Sequence, residues 1–576
     1  MQHLIKFRIP ALFCALTVLL CELISRPYAN MGICDDWPYI LMAQHLAATG
    51  HTVYNGWAAP MLTCQLYLAD ALIKLFGFSF TTVRMSTLLV AVAMAFALQR
   101  TFVRAGITEF NATIGTLALI LSPLYLMLSV TFMTDIFGLF AIVLCLYGCL
   151  RALQSSTDGS TIAWLCFAVL TNAIFGTSRQ IAWLGILVMV PSTLWLLRSR
   201  RRVLLAGAAA TLAGALFIFL CLQWLKRQPY SVPEHLLPNT FPVARTLLEL
   251  TYTFLDIPFL LLPIMVLFFP QIRKINRRSI AMISVLFLGY LFLATYPSHL
   301  RGYIPLEPMP GAISEWVNVH GTFEWLLLKG EPPVFLGKIA QVLLTIASFG
   351  GLIGLIALVL RDPRSSPATD FSAVVSWKQL GLLLGPMTLV YVLLLIPRAA
   401  TSGVHDRYLL GPLVVALLCL LRYYQERIQS RLPFASVLLV GVMASYSVVV
   451  VHNMFAFYRA RVEMAAGLRS AGVPDTTVDN GWEYNYGVEL QHAATLNNDK
   501  IIVPSGAYVP TPPLPAGTCA MNAFEETPHI KPRYGISFDP TACYGPAPFA
   551  PVSYSRWLAS KPGTLYVVRY TVSSRP

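Results

Sequence analysis

Five residues of this 576-residue chain combine reactivity with a shared setting: Asp35, Asp36, Asp135, Arg179 and Arg407 each stand beside the end of a long apolar run. A carboxylate so placed can take a proton from an attacking hydroxyl. An arginine can grip phosphate oxygens through two parallel hydrogen bonds. Together they suit transfer of a group carried on a phosphate, where a base activates the acceptor and positive charge receives the departing phosphate. Charges beside a bilayer are costly unless something uses or solvates them, so their positions are functional hypotheses.

The elements that must position them follow from composition. A hydrophobic fraction of 56% with 12% charged residues departs far from the roughly 25% charged residues of a soluble domain. A polytopic, all-helical membrane protein is expected. A span needs about 20 mostly apolar residues, which predicts thirteen segments: 9–25, 81–99, 111–129, 136–150, 161–175, 181–197, 203–225, 254–269, 279–296, 339–360, 379–396, 408–421 and 433–452. The turns with Arg100 and Arg104, Arg151, residues 198–202 and 273–278, Arg361 and Arg364, and residues 422–431 then all fall on one side. Basic loops stay in the cytoplasm, so the five reactive residues face outward. The net charge of +14 is read as topology anchoring and contact with anionic lipid, not nucleic-acid binding. The N-terminus is expected in the cytoplasm and the C-terminal region outside a plasma (inner) membrane. The first segment precedes Ser25-Arg26-Pro27-Tyr28, without a small-x-small cleavage pattern, and reads as an uncleaved anchor.

Two domains are expected: 1–452, which carries the spans and a first outer loop at 26–80, and an outer domain at 453–576. In the loop, Trp37, Ile40, Leu41 and Ala48, then Leu62, Leu66, Ala69, Leu72, Ile73 and Phe76, recur at helical spacing. Two amphipathic surface helices would give this pattern, as the floor of a site or as a packing cap. The C-terminal region changes composition, with Gly481-Trp482-Glu483-Tyr484-Asn485-Tyr486-Gly487, a Pro-rich stretch at 509–515 and a strand-like run at 564–572, and reads as a small α/β or irregular outer domain. Cys519 with Cys543 and Cys34 with Cys64 are candidate disulfides of an oxidising compartment, the latter pair equally readable as buried thiols.

The stretch Cys34-Asp35-Asp36-Trp37-Pro38-Tyr39 just after the first segment resembles the acid-acid-x-x-Tyr opening of the first outer loop in GT-C membrane glycosyltransferases. It is most similar to the bacterial protein O-mannosyltransferase-like and aminoarabinose-transferase-like branches. Met133-Thr134-Asp135 resembles their second acidic position, Thr177-Ser178-Arg179-Gln180 an Arg-Gln motif, and His405-Asp406-Arg407-Tyr408-Leu409-Leu410-Gly411-Pro412 the Arg-Tyr-Leu-Leu-Pro start of a late span. Ala58-Ala59-Pro60 stands where many members carry Lys-Pro-Pro, which argues against the aminoarabinose-transferring branch.

The resemblance implies a GT-C fold and transfer of a sugar from a polyprenyl-phosphate donor to a glycan, lipid or protein acceptor, with inversion at the anomeric carbon. Asp35 is the candidate base, its pKa expected to rise through repulsion from Asp36 and partial burial; either acid could instead cap the helix starting near Trp37. Asp135 is the second acid, for acceptor or cation, or again a helix cap. Arg179 and Arg407 are candidates for the donor phosphate, although Asp406 adjoins Arg407. Tyr39, Gln180, Tyr408 and His405 accompany them as substrate-binding candidates, His405 reading more as a helix-start residue than a catalyst. No cofactor is assigned. Two outer loops at 226–253 and 298–338 carry His299, His320, Glu307, Glu315, Trp316 and Trp325; no tight ligand spacing occurs there, so metal dependence stays open. No phosphate-binding glycine loop is evident, which argues against a cytoplasmic sugar nucleotide as direct donor. The alternative function is a transporter of a lipid-linked substrate, which should show internal repeats or mid-span charges.

Overall fold

A computed structural model of the chain describes residues 8–234, 241–295, 317, 320–321, 328–361, 375–401, 404–501, 508–519 and 524–571. His299, Glu307, Glu315, Trp316 and Trp325, along with Arg364 and Val572, lie outside the described residues.

Each of the thirteen apolar segments is helical over most of its length, as a backbone in lipid must bond to itself. Among the described residues, eight helices are long and apolar enough to cross a membrane, or up to ten if two bent pairs each form one span. Thirteen therefore counts apolar helical segments rather than established spans. Helix Arg201–Leu225 turns Leu205, Leu212, Leu216 and Phe219 outward, an apolar surface stable only against lipid. Helix Asp135–Gln154 is buried nearly all round, between Phe80–Arg104 and Asp158–Gly176, and forms the centre of the bundle.

The segments that break do so for identifiable reasons. Residues 111–129 form two helices, Glu109–Ile120 and Pro123–Ser129, at 69°. Ser122 accepts the backbone N–H of Tyr125 and so starts a new helix, while Pro123 lacks the donor to continue the old one. Residues 181–197 pass through a 3-10 turn, Gln180–Trp183, and a π segment, Gly185–Met189. Here Asn172 of the neighbouring helix intrudes, donating to the Ala182 carbonyl at 2.9 Å and accepting from the Ile186 N–H at 3.1 Å. The last apolar segment does not stop at 452: helix Phe434–Ser470 runs on into the C-terminal region, whose Ser555 and Trp557 pack on His452.

The basic turns gather at one end. Gln154 donates to the Arg104 carbonyl, Arg422 to that of Ala105, Arg200 pairs with Asp158, and Arg431 lies over Phe110. Residues 26–80 and the C-terminal region share the other end. The loop forms two helices, Asp36–Thr49 and Thr63–Phe76. The first departs from the expected stripe: Leu41 is only half-buried and Ala48 is exposed, while Tyr39, Met42, Ala43 and Leu46 are buried. Its first turn is covered, with Trp37 against Trp57, Trp482 and Tyr486, while Gln44, His45 and Ala48 keep an exposed face.

That region holds a four-stranded sheet, β1 (Val478–Asp479), β2 (Tyr534–Ser537), β3 (Val552–Tyr554) and β4 (Gly563–Arg569), in the order β1-β2-β4-β3. β1 runs parallel to β2 and the other pairs are antiparallel, with Ile536 opposite Val567. The 481–487 motif is not irregular: it opens helix Trp482–Ala493. Gly56 seats the loop against this region. It has φ +88°, and a Cβ there would meet the Leu496 carbonyl at 3.2 Å, while the Leu496 N–H donates to the Asn55 carbonyl at 2.9 Å.

Cys519 and Cys543 form a disulfide across 24 residues. Closing a loop of that length restrains the unfolded chain by about 3 kcal/mol. Replacing both cysteines with Ser is expected to speed hydrogen exchange in β2 and β4 while exchange in the bundle stays unchanged. Cys34 and Cys64 are not joined, contrary to the candidate pairing. Cys34 sits in the core and Cys64 packs against it from the first turn of its helix. Burial pushes the Cys64 thiol up to about 11, which keeps it protonated and unreactive.

Candidate active site

The Thr63–Phe76 helix starts without a cap of its own, and its free N–H groups find partners across the chain. Thr177 Oγ1 accepts from Cys64 N at 3.0 Å and Ser178 Oγ from Gln65 N at 3.2 Å. Thr177 and Ser178 thus act as a remote cap, and the docking aims the next residue, Arg179, at the first turn of Asp135–Gln154. Gly138 makes room for it: a Cβ there would lie 2.7 Å from Arg179 Cδ. Arg179 Nη1 approaches Asp135 Oδ1 at 2.7 Å and donates to Thr134 Oγ1 at 3.0 Å.

Asp135 is buried, with 1% of its side chain exposed. By distance it is ion-paired to Arg179, yet neither oxygen receives a well-angled hydrogen bond from a described protein group. The two observations agree once the pair is seen as charge-compensated but off-axis, leaving acceptor capacity on a carboxylate that lines a cleft with Arg179, Tyr391 and Arg407. Thr134 holds the helix N-cap position, so Asp135 does not serve as a cap.

Arg407 comes from the 3-10 turn Asp406–Leu409. Asp406 Oδ1 accepts the Arg407 backbone N–H, and its Oδ2 accepts from Val317 N. The Arg407 guanidinium reaches Asp35 Oδ2 at 3.2 Å. Asp35 precedes its helix but accepts no backbone N–H there. Its Oδ1 instead accepts from Trp57 Nε1 at 3.3 Å, and 22% of the side chain stays exposed. The Tyr408 ring gathers three guanidinium groups, Arg179 at 5.0 Å, Arg407 at 5.5 Å and Arg398 at 5.7 Å from its centroid. Tyr391 O–H fixes the turn by donating to the Tyr408 carbonyl at 2.8 Å.

Asp36 departs from its neighbour. Its side chain is 0% exposed and forms a two-point pair with Arg84, Nε–Oδ2 at 2.7 Å and Nη2–Oδ1 at 3.1 Å. The same carboxylate accepts from Ile33 N at 2.7 Å and Phe132 N at 3.2 Å. Arg84 also donates to the carbonyls of Ala29 and Met31. Asp36 therefore ties the loop to the bundle, and its charge is compensated by Arg84 rather than turned on Asp35. Tyr39 is buried, and burial, followed by the charge of Asp35, pushes its phenol well above the ordinary range. Gln180 opens its 3-10 turn with no side-chain hydrogen bond to a described residue. His405 packs edge-on against Tyr408, at 5.2 Å.

Three residues of this end were missed in the sequence: Arg84, Arg398 and Trp57. A signal existed for two of them, because Arg84 and Arg398 break the rule that basic residues keep to the other side. Among the described residues no three His, Cys, Asp or Glu side chains converge to hold a metal ion.

Fold and site define a multi-pass membrane protein with a carboxylate and arginine cleft at the end that carries the C-terminal region. Solved structures similar to the chain include ArnT from Cupriavidus metallidurans in the apo state, at 15% identity and TM-score 0.39, covering 83% of this chain and 88% of that one. ArnT from the same organism bound to undecaprenyl phosphate matches at 14% identity and TM-score 0.38, covering 96% and 97%. The oligosaccharyltransferase AglB from Archaeoglobus fulgidus, in complex with an inhibitory peptide and a dolichol-phosphate, matches at 14% identity and TM-score 0.36, covering 91% and 69%. No protein-family model matches the sequence, and no curated protein does.

Proposed function

We propose that this chain is a membrane glycosyltransferase that moves a sugar from a polyprenyl-phosphate carrier to an acceptor hydroxyl on the outer face of the plasma membrane. The supporting observation is the gathering of Arg179, Arg398 and Arg407 around Tyr408, with Asp135 lining the same cleft as Arg179 and Arg407 and Asp35 paired with Arg407. Each guanidinium also faces a carboxylate, Arg179 facing Asp135, Arg407 facing Asp35 and Arg398 facing Glu234, and a departing phosphate takes up the donors these pairs leave open. A half-buried carboxylate beside them suits a base.

In the reaction, Asp35 takes the proton of the acceptor hydroxyl as its oxygen bonds to the anomeric carbon. The bond from that carbon to the phosphate oxygen breaks, and the electron pair leaves with the polyprenyl phosphate. Arg407 and Arg179 receive the charge. Attack opposite the phosphate inverts the anomeric centre, as the sequence resemblance implies. Asp135, with its unused acceptor capacity, orients a substrate hydroxyl. The outward placement of Asp35 and the C-terminal region, with a cytoplasmic N-terminus, rests on the basic turns lying at the opposite end.

The test is reconstitution in liposomes with polyprenyl-phosphate sugars and extracted envelope lipids, glycans and proteins, following release of polyprenyl phosphate. Release coupled to sugar on an acceptor supports the transferase; donor that crosses the bilayer uncleaved favours the transporter. A graded prediction concerns Gly138→Ala. The added methyl displaces Arg179 from Asp135, and a shift on the order of 1 Å at a positioning group is expected to lower kcat/KM by about 10- to 100-fold. Thermal stability should fall as well, since the methyl also meets Arg179 Cβ at 3.0 Å, which cannot swing away as the guanidinium can.

A further inference from the structure

The aromatic wall above Asp35 has no part in the chemistry described so far. Trp57 from the loop stacks on Trp482 from the C-terminal region, with centroids 5.7 Å apart and planes at 27°. Tyr486 stands 5.3 Å from Trp57 and 6.1 Å from Trp482. Beneath them Trp37 is 1% exposed and touches all three, while Trp57, Trp482 and Tyr486 are only partly buried. A cluster serving only as core would be buried throughout. Here one ring anchors three others that keep surface open, and one of the three donates its indole N–H to Asp35.

The wall is held rigidly. Helix Trp482–Ala493 is fixed to helix Phe434–Ser470 by the Tyr458 hydroxyl donating to Glu483 at 2.6 Å and by Arg461 pairing with Glu483 at 3.2 Å. Asp479 Oδ1 accepts from both Gly481 N and Asn485 Nδ2. Its rim is polar: the Tyr486 hydroxyl lies near the Glu526 carboxylate, and the charges of Lys500, Asp499 and Glu525 lie close by.

We propose that Trp57, Trp482 and Tyr486 form a binding subsite for a saccharide ring of the acceptor. The electron-rich face of an aromatic ring attracts the weakly positive C–H bonds on one face of a pyranose. Carboxylates at the rim, Asp35 and Glu526, accept from its hydroxyls. An acyl chain would instead need a continuous apolar groove, which these carboxylates interrupt. Lying on Trp57, a sugar presents its hydroxyl edge to Asp35, so the same contact that binds the acceptor delivers it to the base. This deepens the transferase reading by naming the acceptor as saccharide-bearing, and it relies on that reading for the part played by Asp35.

The experiment is saturation-transfer NMR on the full-length protein in nanodiscs without donor. The probes are three fractions from the host envelope: oligosaccharides released by mild acid and freed of lipid and peptide, the matching lipid fraction, and a tryptic peptide fraction. Saturation from aromatic protons is expected to reach the oligosaccharides. Trp482→Ala should weaken their binding by about tenfold, and Trp482→Phe, which keeps a ring and guards against misfolding, should restore most of it. Oligosaccharide binding that is absent, or equal in all three proteins, overturns the proposal, as does transfer confined to the lipid or peptide fraction. Because no donor is present, this result is separable from polyprenyl-phosphate release, whose absence would count against the transferase alone.

Discussion

Asp35→Asn is expected to lower sugar transfer by about 10²- to 10⁴-fold, the usual contribution of a positioned base, while the protein still folds and binds donor. The geometry makes this a clean substitution. Asn has the shape of Asp and still accepts from Trp57 Nε1, so the wall above it stays in place. What is lost is the negative charge facing Arg407 and the ability to keep a proton. Asp35 is 22% exposed but Arg407 only 6%, so removing the charge that faces a largely buried guanidinium should cost about 1–3 kcal/mol. Arg407, released from Asp35, should hold polyprenyl phosphate at least as tightly as before. Retention of more than about a tenth of the parent turnover would place the base elsewhere, with Asp135 the next candidate.

The second large effect is on folding. Arg84→Ala removes the partner of a carboxylate whose side chain is 0% exposed, and breaking a buried pair from one side costs about 3–5 kcal/mol. Asp36 cannot turn to water for compensation, because Ile33 N and Phe132 N already hold it. The loss should appear as a lower midpoint of unfolding in detergent. Adding Asp36→Asn to Arg84→Ala should recover part of the loss, since no unpaired charge then remains. A double-mutant cycle without coupling would return Asp36 to the list of candidate catalysts.

How much was legible in the sequence depended on which physical signal carried it. Helices came through, because an apolar run of span length in lipid has little choice but to be helical. Even so, the number of spans did not come through, since the breaks near Leu121 and Gly185 depend on Ser122 and on Asn172 from another helix. Asp35 and Asp36 stood out by lying on the Arg-poor side, and Asp135, Arg179 and Arg407 by motifs that resemble those of a family, while Arg84 and Arg398 on the same side were passed over. Their pairing could not: Asp35 with Arg407 lies 372 residues apart in the chain, and Asp36 with Arg84 is 48 apart. The two amphipathic loop helices were visible as a period, but that the first turn of the first lies under Trp57, Trp482 and Tyr486 was not, because a helical stripe does not say what covers it. The pairing of Cys34 with Cys64 failed for a related reason, as a buried thiol and a half-disulfide look alike in one dimension.

The sequence by itself determined the class of protein and the chemical inventory at one end of it, because both depend on which residue types occur and how apolar runs alternate with charge. Tertiary structure decided how two adjacent aspartates divide their tasks. Successive residues at a helix start point in different directions, so Asp36 meets Arg84 inside the bundle while Asp35 meets Arg407 and Trp57 at the cleft. It also decided that Trp482, near the far end of the chain, stands over a loop near its beginning. Contacts between segments so distant in the chain are set by packing, and packing has no one-dimensional signature.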